Sequence, residues 1–243
     1  MRLLFQTRCR AFVPLLFACA LALQTGCKEK SHGSPEGYDL RTPQKRNLGK
    51  VLNEISGLNF DPRSKALLAI ADSKRKIFSI DLTSLKLSDY AEKFAEQGDF
   101  EDLVIYGDTV YVLISDGTIL AVPRNAKNDS TTQAYPFWSE EKNDFETLYY
   151  DPSAKGLVML CKSCAEDKGQ DMRSAYRFDL AGKYFDSAAF YTIGTEDVKK
   201  AVLKSDATFK PSAAAIHPID KKLYILSSAG QLLVITDTRG KVL

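Results

Sequence analysis

The feature that most constrains this chain is a repeated segment with a period of 45 residues. The stretch from Gly98 to Ile114, GDFEDLVIYGDTVYVLI, is matched by NDFETLYYDPSAKGLVML from Asn143 to Leu160. In both copies Asp-Phe-Glu, one further residue and Leu lead into an apolar run, a turn and a second apolar run. Short apolar runs bounded by turn residues predict β-strands joined as hairpins.

Two further copies extend this unit into a series. The four copies align on one position, occupied in turn by Ser56, Glu101, Glu146 and Ser212. After a turn, each copy has a strand-like run, at 66–72, 109–116, 156–163 and 222–228. Another strand-like run follows, at 76–82, 118–124, 174–180 and 231–237. The last interval is 66 residues because of insertions at 161–173 and 194–208. Units of three or four strands at this period are typical of propeller blades.

The predicted fold is therefore all-β, a β-propeller domain over residues 38–243 with four visible blades. A β-sandwich with coincidental spacing is the alternative, and four aligned copies argue against it. A single short helix is expected within the insertion at 194–208, where the sequence EDVKKAVLK occurs.

The amino terminus has the composition of an export signal. Three arginines precede an apolar run at 11–23, which is shorter than the roughly 20 apolar residues of a membrane span. Thr25-Gly26-Cys27 resembles the bacterial lipobox, in which the cysteine is lipidated, so residues 1–26 are interpreted as a lipoprotein signal peptide. Residues 27–37 are interpreted as a flexible tether because they are rich in charged and small residues.

This interpretation places the protein in the bacterial cell envelope. Acyl chains on Cys27 would anchor it to a membrane, with the outer membrane preferred, and expose the propeller to the periplasm or the cell surface. Removing the signal takes away three arginines and no acid, so the formal charge of +2 becomes −1. A nearly neutral chain without a basic block argues against a nucleic-acid partner.

Cys161 and Cys164 are the cysteines that remain once the signal and Cys27 are set aside. A Cys-x-x-Cys pair is half of a zinc site or a redox pair, but a structural zinc site needs four ligands. In an exported protein, a local disulfide that pins a loop is favoured over catalysis.

Four segments carry a resemblance to a known family: EISGLNFDP, DFEDLVIYGDTVYVLISDGTI, DFETLYYDPSAKGLVML and PSAAAIHPIDKKLYILSS. They resemble the SdiA-regulated (YjiK-like) β-propeller family over residues 48–243. The resemblance implies a ring of about five to six blades in a complete member. The glycine usual in that family is replaced here by Asp102, Thr147 and Ala213.

The resemblance also bears on ring closure. Family members continue past a final Gly-Lys-Val-Leu into a further blade, whereas this sequence ends at Leu243. Four blades and an N-terminal strand, expected at about 38–52, would leave a strand edge open. A C-terminally truncated gene product and an unusual closure both stay open.

The candidate site is the mouth of the central channel, where propellers bind ligands. The aligned side chains are predicted to face a common axis: Ser56, Glu101, Glu146 and Ser212. Asp72 and Asp116 recur after the next strand. With Glu101 and Glu146 they offer hard oxygen ligands for Ca²⁺. Capping of backbone N–H groups along a water-filled channel is the preferred alternative.

Two classes of function stay open. The first is a non-enzymatic protein that binds an unknown protein or small-molecule ligand. The second is a Ca²⁺-dependent hydrolase resembling β-propeller phytases or SMP-30-type lactonases, an analogy of fold alone. The first class is favoured because the sequence has no Gly-x-Ser-x-Gly elbow and no histidine pairs with Cys161 or Cys164. The sequence predicts no catalytic residue, and calcium is the one cofactor that its acids suggest.

Overall fold

The computed structural model describes residues 34–35, 37–124, 126 and 128–243. The chain divides into two units, Met1–Gln44 and Lys45–Leu243. In the first unit, the described residues form turns held by local hydrogen bonds, such as that from Leu40 N–H to Ser34 Oγ at 3.0 Å. The predicted signal peptide, Cys27 and most of the predicted tether lie outside the described residues.

The second unit contains four antiparallel sheets, which follow one another along the chain as the blades of a propeller. Blade 1 consists of β1 (Ile55–Asp61), β2 (Ala66–Ala71), β3 (Lys76–Asp81) and β4 (Leu87–Glu92). Blade 2 consists of β5 (Phe100–Tyr106), β6 (Thr109–Ile114), β7 (Ile119–Pro123) and β8 (Gln133–Tyr135). Blade 3 consists of β9 (Asp144–Asp151), β10 (Gly156–Ser163), β11 (Met172–Asp179), β12 (Tyr184–Phe185) and β13 (Tyr191–Gly194). Blade 4 consists of β14 (Ala213–Ile216), β15 (Leu223–Ser227) and β16 (Leu232–Thr236). The predicted all-β fold with four blades is confirmed.

Helical structure is short. The helix α1 (Thr195–Val202) lies in the insertion between blades 3 and 4, where the sequence predicts it. Three 3-10 turns lie at Lys50–Leu52, Asp129–Thr131 and Ala165–Asp167. Within the part of the chain that the structure describes, no helix has the length and apolar character needed to cross a membrane.

The core lies between successive blades. The second strand of each of the first three blades is apolar almost throughout, because both of its faces are covered. Leu68 and Ile70 of blade 1 pack with Val110 and Val112 of blade 2. Equivalent clusters join blades 2 and 3 and blades 3 and 4. Each blade is therefore stabilised by its neighbours in the chain.

A buried ion pair also joins blades 1 and 2. Asp61 ends β1 and accepts hydrogen bonds from Arg63 N–H at 3.1 Å and Ser64 Oγ at 2.7 Å, which close the β1–β2 turn. Arg124, which follows β7, donates two hydrogen bonds to the same carboxylate at 2.7 and 2.9 Å. These contacts lower the pKa of Asp61 well below its usual value, and the hydrogen bonds from Arg124 are the largest cause.

The prediction of an N-terminal strand at 38–52 is wrong. These residues are all described, and they contain the 3-10 turn Lys50–Leu52 but no strand. The segment 41–47 is polar and includes a proline, so it lacks the alternation that a half-buried strand needs. Leu48, Leu52 and Ile55 pack instead on the outward face of blade 1.

The face of blade 1 that points away from blade 2, called the outward face, is only partly covered by other residues. Leu58 and Phe60 on β1 are 48% and 49% exposed, whereas Leu103 and Leu148, the counterparts of Leu58 in blades 2 and 3, are buried. Hydrophobic clusters join blade 1 to blade 2, blade 2 to blade 3 and blade 3 to blade 4. Among the described residues, no such cluster joins blade 1 to blade 4.

Candidate functional site

Three of the four aligned positions of the repeat lie at irregularities in the strand pairing, those of blades 1, 2 and 3. In blade 1, Ile55 pairs with Ala71 and Gly57 with Ile70, so Ser56 has no partner residue on β2. The same shift leaves Glu101 unpaired in blade 2 and Glu146 unpaired in blade 3. A β-bulge inserts one residue into a strand and turns its side chain away from the regular alternation. In blades 1, 2 and 3 the backbone therefore presents one such side chain at or near the start of the inner strand.

Close packing between inner strands fixes the spacing of these bulges. A Cβ atom added to Gly57 would lie 2.7 Å from the Cα atom of Asp102, so only glycine fits there. The Asp102 carboxylate accepts a hydrogen bond from Leu103 N–H and another from Leu148 N–H in the next blade, both at 2.8 Å. Since Asp102 is buried, desolvation raises its pKa to about 7, although the two hydrogen bonds oppose this shift.

Backbone hydrogen bonds between blades place the inner strands β5 and β9 against the ends of the preceding second strands, β2 and β6. Phe100 N–H donates to Asp72 O at 2.9 Å, and Phe145 N–H donates to Ser115 O at 2.8 Å. Glu101 follows Phe100, and Glu146 follows Phe145. Both glutamates therefore start from equivalent points of neighbouring blades.

Five charged residues act on one another and are called the mouth cluster, after the channel mouth at which the sequence predicts a site: Asp99, Glu101, Asp144, Glu146 and Lys162. Burial is the main cause that raises the pKa of Glu101 to about 8, and the charges of Asp99, Glu146 and Asp144 raise it as well, while Lys162 opposes them. Two acids of blade 2 therefore share one electrostatic environment with two acids of blade 3. At neutral pH, Glu101 is held largely protonated unless a cation comes close.

Lys162 supplies the positive charge of this cluster. Its Nζ atom pairs with Glu146 and lies 3.1 Å from Asp144 Oδ2. Burial would lower its pKa, but the hydrogen bonds with Glu146 and Asp144 outweigh it and raise the pKa above its usual value. Lys162 lies between Cys161 and Cys164, whose sulfur atoms form a disulfide. Both cysteines are buried, so the small loop that carries Lys162 is anchored in the core of blade 3.

The remaining predicted site residues have local roles. Ser56 Oγ donates a 3.4 Å hydrogen bond to Glu54 O, and Ser212 Oγ accepts one from Ser228 N–H at 3.1 Å. Asp116 is exposed, and its Oδ1 atom accepts a hydrogen bond from Thr118 N–H at 2.8 Å, which closes the β6–β7 turn. Asp72 is half-buried and contributes the backbone contact to Phe100. The structure thus brings Glu101 and Glu146 into one electrostatic cluster, and it records no contact that joins the two serines to them.

A calcium site would need several carboxylate or carbonyl oxygens that converge on one point. Among the described residues, no group of three or more His, Cys, Asp or Glu side chains is placed to hold a metal ion. Lys162 takes the place of a cation beside Asp144 and Glu146, and Asp116 caps its own turn. As placed, the side chains fit a bound ammonium group better than a coordinated calcium ion.

Comparison with known proteins identifies the family. The profile of the SdiA-regulated family matches residues 31–243, which is most of the chain. The chain belongs to the SdiA-regulated family. A search of curated protein sequences gave no significant match for this SdiA-regulated protein.

Two solved structures are similar to this SdiA-regulated protein. One is a structural-genomics protein of unknown function from Bacteroides thetaiotaomicron VPI-5482, with 11% identity and a TM-score of 0.49. The match covers 78% of this chain and 42% of that one, so this chain spans less than half of its length. The other is a nidogen/laminin complex, with 15% identity, a TM-score of 0.49 and 78% coverage of each chain.

Several residues of the mouth cluster were not predicted from the sequence of this SdiA-regulated protein. Asp99 and Asp144 stand two residues before the aligned glutamates, and the repeated Asp-Phe-Glu was a signal that pointed to them. Lys162 gave no signal, because its pairing depends on the fold of the Cys161–Cys164 loop. The bulges could be suspected only from the broken alternation at Phe100-Glu101-Asp102-Leu103.

Proposed function

We propose that this protein is a lipid-anchored β-propeller of the bacterial cell envelope that binds a cationic ligand or partner group at its mouth cluster and catalyses no reaction. The observation that carries the proposal is the environment of Glu101. Burial and three neighbouring carboxylates raise its pKa to about 8, and the positive charge of Lys162 acts against them. In the free protein this burial and repulsion cost free energy, and a positively charged ligand would reduce that cost.

Calcium is one candidate ligand and organic ammonium groups are another. Calcium would be held by Glu101 and Glu146 with Asp72 or Asp116, and it would have to displace the contacts of Lys162 and Thr118. An ammonium group needs only hydrogen-bond acceptors, which Glu101 and Asp99 offer without such rearrangement. The proposal therefore favours a ligand or protein segment that presents an ammonium group.

Thermal unfolding of the purified chain tests the site. Calcium chloride, magnesium chloride and the diamine putrescine are added at matched ionic strength, and the midpoint of unfolding is measured. A ligand at 100 times its dissociation constant stabilises the folded state by about 2.7 kcal/mol. We expect putrescine to raise the midpoint in the parent chain and to have little effect when Glu101→Gln and Glu146→Gln are combined.

A matched control removes the same charge elsewhere. Glu140→Gln with Glu196→Gln changes two exposed glutamates outside the mouth cluster and should keep the full response to putrescine. A response to calcium alone would assign the site to a metal. The absence of a response to all three cations, or an equal response in both double variants, would refute the binding role of the mouth.

The lipid anchor is tested separately. Cys27→Ala should abolish the incorporation of a labelled fatty acid and leave the protein unprocessed or soluble, because the acyl chains would have no attachment site. Cys161→Ala serves as the control, since Cys161 is bonded to Cys164 in the folded chain and should not affect labelling. Persistent labelling of the Cys27→Ala variant would contradict the assignment.

A further inference from the structure

A cleft at the edge of blade 1 has a different character from the mouth cluster. It has a volume of about 510 Å³ and lies between the β2–β3 turn, the end of β4 and the 3-10 turn Lys50–Leu52. Val51 and Phe78 form apolar parts of its wall. The volume is in the range that small-molecule sites in proteins occupy, about 300 to 1,000 Å³.

The charged side chains of the cleft are mostly basic. Its lining includes Lys74, Arg75, Lys76 and Lys93, with Glu92 as the acid. Lys76 is neutralised locally, because its Nζ atom pairs with Glu92 and lies 2.9 Å from Asp89 Oδ2. Within the described part of the chain, no ion pair is formed by Lys74, Arg75 or Lys93. Three cations therefore remain available to an anion in the cleft.

Backbone contacts hold two of these cations in place. Lys93 N–H donates to Arg75 O at 2.7 Å, which ties the end of β4 to the β2–β3 turn. Arg75 Nη1 donates to Glu96 O at 2.8 Å, so one of its five N–H donors is used and the guanidinium is oriented. Lys93 has a left-handed backbone (φ 50°), a conformation kept by the surrounding contacts. The basic groups thus stand on connected parts of one blade.

We propose that this cleft binds a phosphate monoester that carries an apolar group. A phosphate monoester has a charge of about −1.5 to −2 at neutral pH and three acceptor oxygens. Arg75, Lys74 and Lys93 supply the charge and the donors, and arginine and lysine are the residues that bind phosphate most often. Val51 and Phe78 then contact the apolar group of the ester. The ester is either a small soluble metabolite or the headgroup of a lipid, since both present the same chemistry.

This site is separate from the proposed function of the mouth. The cleft is basic and takes an anion, whereas the mouth cluster is acidic and takes a cation. Loss of binding at one site would therefore leave binding at the other site measurable.

Isothermal titration calorimetry of the full chain measures binding to the cleft. Three probes are used: inorganic phosphate, phenyl phosphate and water-soluble dihexanoyl phosphatidate. We expect one of the two organic esters to bind at least tenfold more tightly than inorganic phosphate, because only the esters reach the apolar wall. Binding should weaken as salt is added, since the cations are near the surface. Tighter binding of phenyl phosphate would indicate a soluble ester as the ligand, and tighter binding of the phosphatidate a lipid headgroup.

Variants tie the binding to the cleft. Lys74→Gln with Lys93→Gln should weaken ester binding at least tenfold. The control, Lys65→Gln with Lys155→Gln, removes two exposed lysines at inner β-turns that have the same left-handed backbone as Lys93, and it should bind as the parent does. Val51→Glu, at a residue that is 42% exposed, adds a negative charge to the wall without disturbing the core and should also abolish binding.

Three results would overturn the proposal. They are the failure of both esters to bind, equal affinity for inorganic phosphate and the esters, and unchanged ester binding in folded Lys74→Gln/Lys93→Gln and Val51→Glu variants.

Discussion

The ion pair between Asp61 and Arg124 should contribute more to stability than any exposed ion pair in the chain. The Asp61 side chain is 1% exposed and that of Arg124 is 14% exposed. Arg124→Met would leave the carboxylate buried, with only Ser64 Oγ and Arg63 N–H still donating to it. Breaking a buried pair by removing one partner costs about 3–5 kcal/mol. Because two hydrogen bonds remain, we expect a loss of about 3 kcal/mol in the free energy of unfolding.

Urea unfolding at pH 7 measures this loss, and a neighbouring arginine supplies the control. Arg63 pairs with Asp108 at the surface, where both side chains are more than half exposed. Arg63→Met should therefore cost less than about 1 kcal/mol. The single variant Asp61→Asn and the double variant Asp61→Asn/Arg124→Met complete a double-mutant cycle. Its coupling energy separates the contribution of the ion pair from that of the turn hydrogen bonds.

The pH dependence gives an independent test with a definite sign. Arg124 lowers the folded-state pKa of Asp61, so the pair stabilises the fold above the unfolded pKa of about 3.9, and this contribution is lost as pH falls through the folded value. In Arg124→Met the Asp61 carboxylate has no cationic partner and takes up a proton at a higher pH. Protonation then removes the cost of burying its negative charge. The difference in the free energy of unfolding between parent and variant should therefore become smaller as pH falls from 6 to 3. A loss below about 1 kcal/mol at pH 7, or a difference that does not change with pH, would refute this account.

Three further predictions concern the packing of the inner strands and the disulfide. Gly57→Ala should destabilise the fold by about 1–3 kcal/mol in urea unfolding, because the new methyl group would lie 2.7 Å from Asp102 Cα; an effect as small as that of an exposed substitution would contradict the geometry. The pKa of Asp102 is raised to about 7, so the free energy of unfolding of the parent should decrease as pH rises from about 4 to 7. Asp102→Asn should remove this part of the pH profile. An unchanged profile would show that Asp102 does not titrate in this range. Cys161→Ala with Cys164→Ala should lower the free energy of unfolding by about 2 kcal/mol, as expected for a short disulfide loop, and no change in the urea midpoint would show that the bond adds nothing.

The fold was predictable because the repeat carries information at several levels. The 45-residue spacing, the apolar second strands and the turn residues all pointed to blades, and the structure has them. Asp61 and Asp151 close the turns that follow β1 and β9 by accepting hydrogen bonds from the residues that come next. The prediction of a strand at 38–52 was wrong because the segment 41–47 is polar and includes a proline, so it lacks the alternation of a half-buried strand.

The candidate site was predictable only in part. The alignment identified Glu101 and Glu146, because a repeated structure places equivalent residues at equivalent points. It could not identify Lys162, whose ammonium group reaches Glu146 from the adjacent strand β10. The basic cleft was not predicted either, because Val51 and Lys93 are 42 residues apart and meet only when β4 returns beside the 3-10 turn.

The recurring bulge at Ser56, Glu101 and Glu146 has a consequence for how such a protein can diversify. The bulged residue lacks a partner on the adjacent strand, so replacing its side chain does not alter the pairing that holds the blade together. The neighbouring residue, as at Gly57, is constrained by contact with the next blade. Mutation and selection can therefore exchange serine for glutamate at the bulge, one blade at a time, and change what the mouth attracts while the scaffold is inherited unchanged.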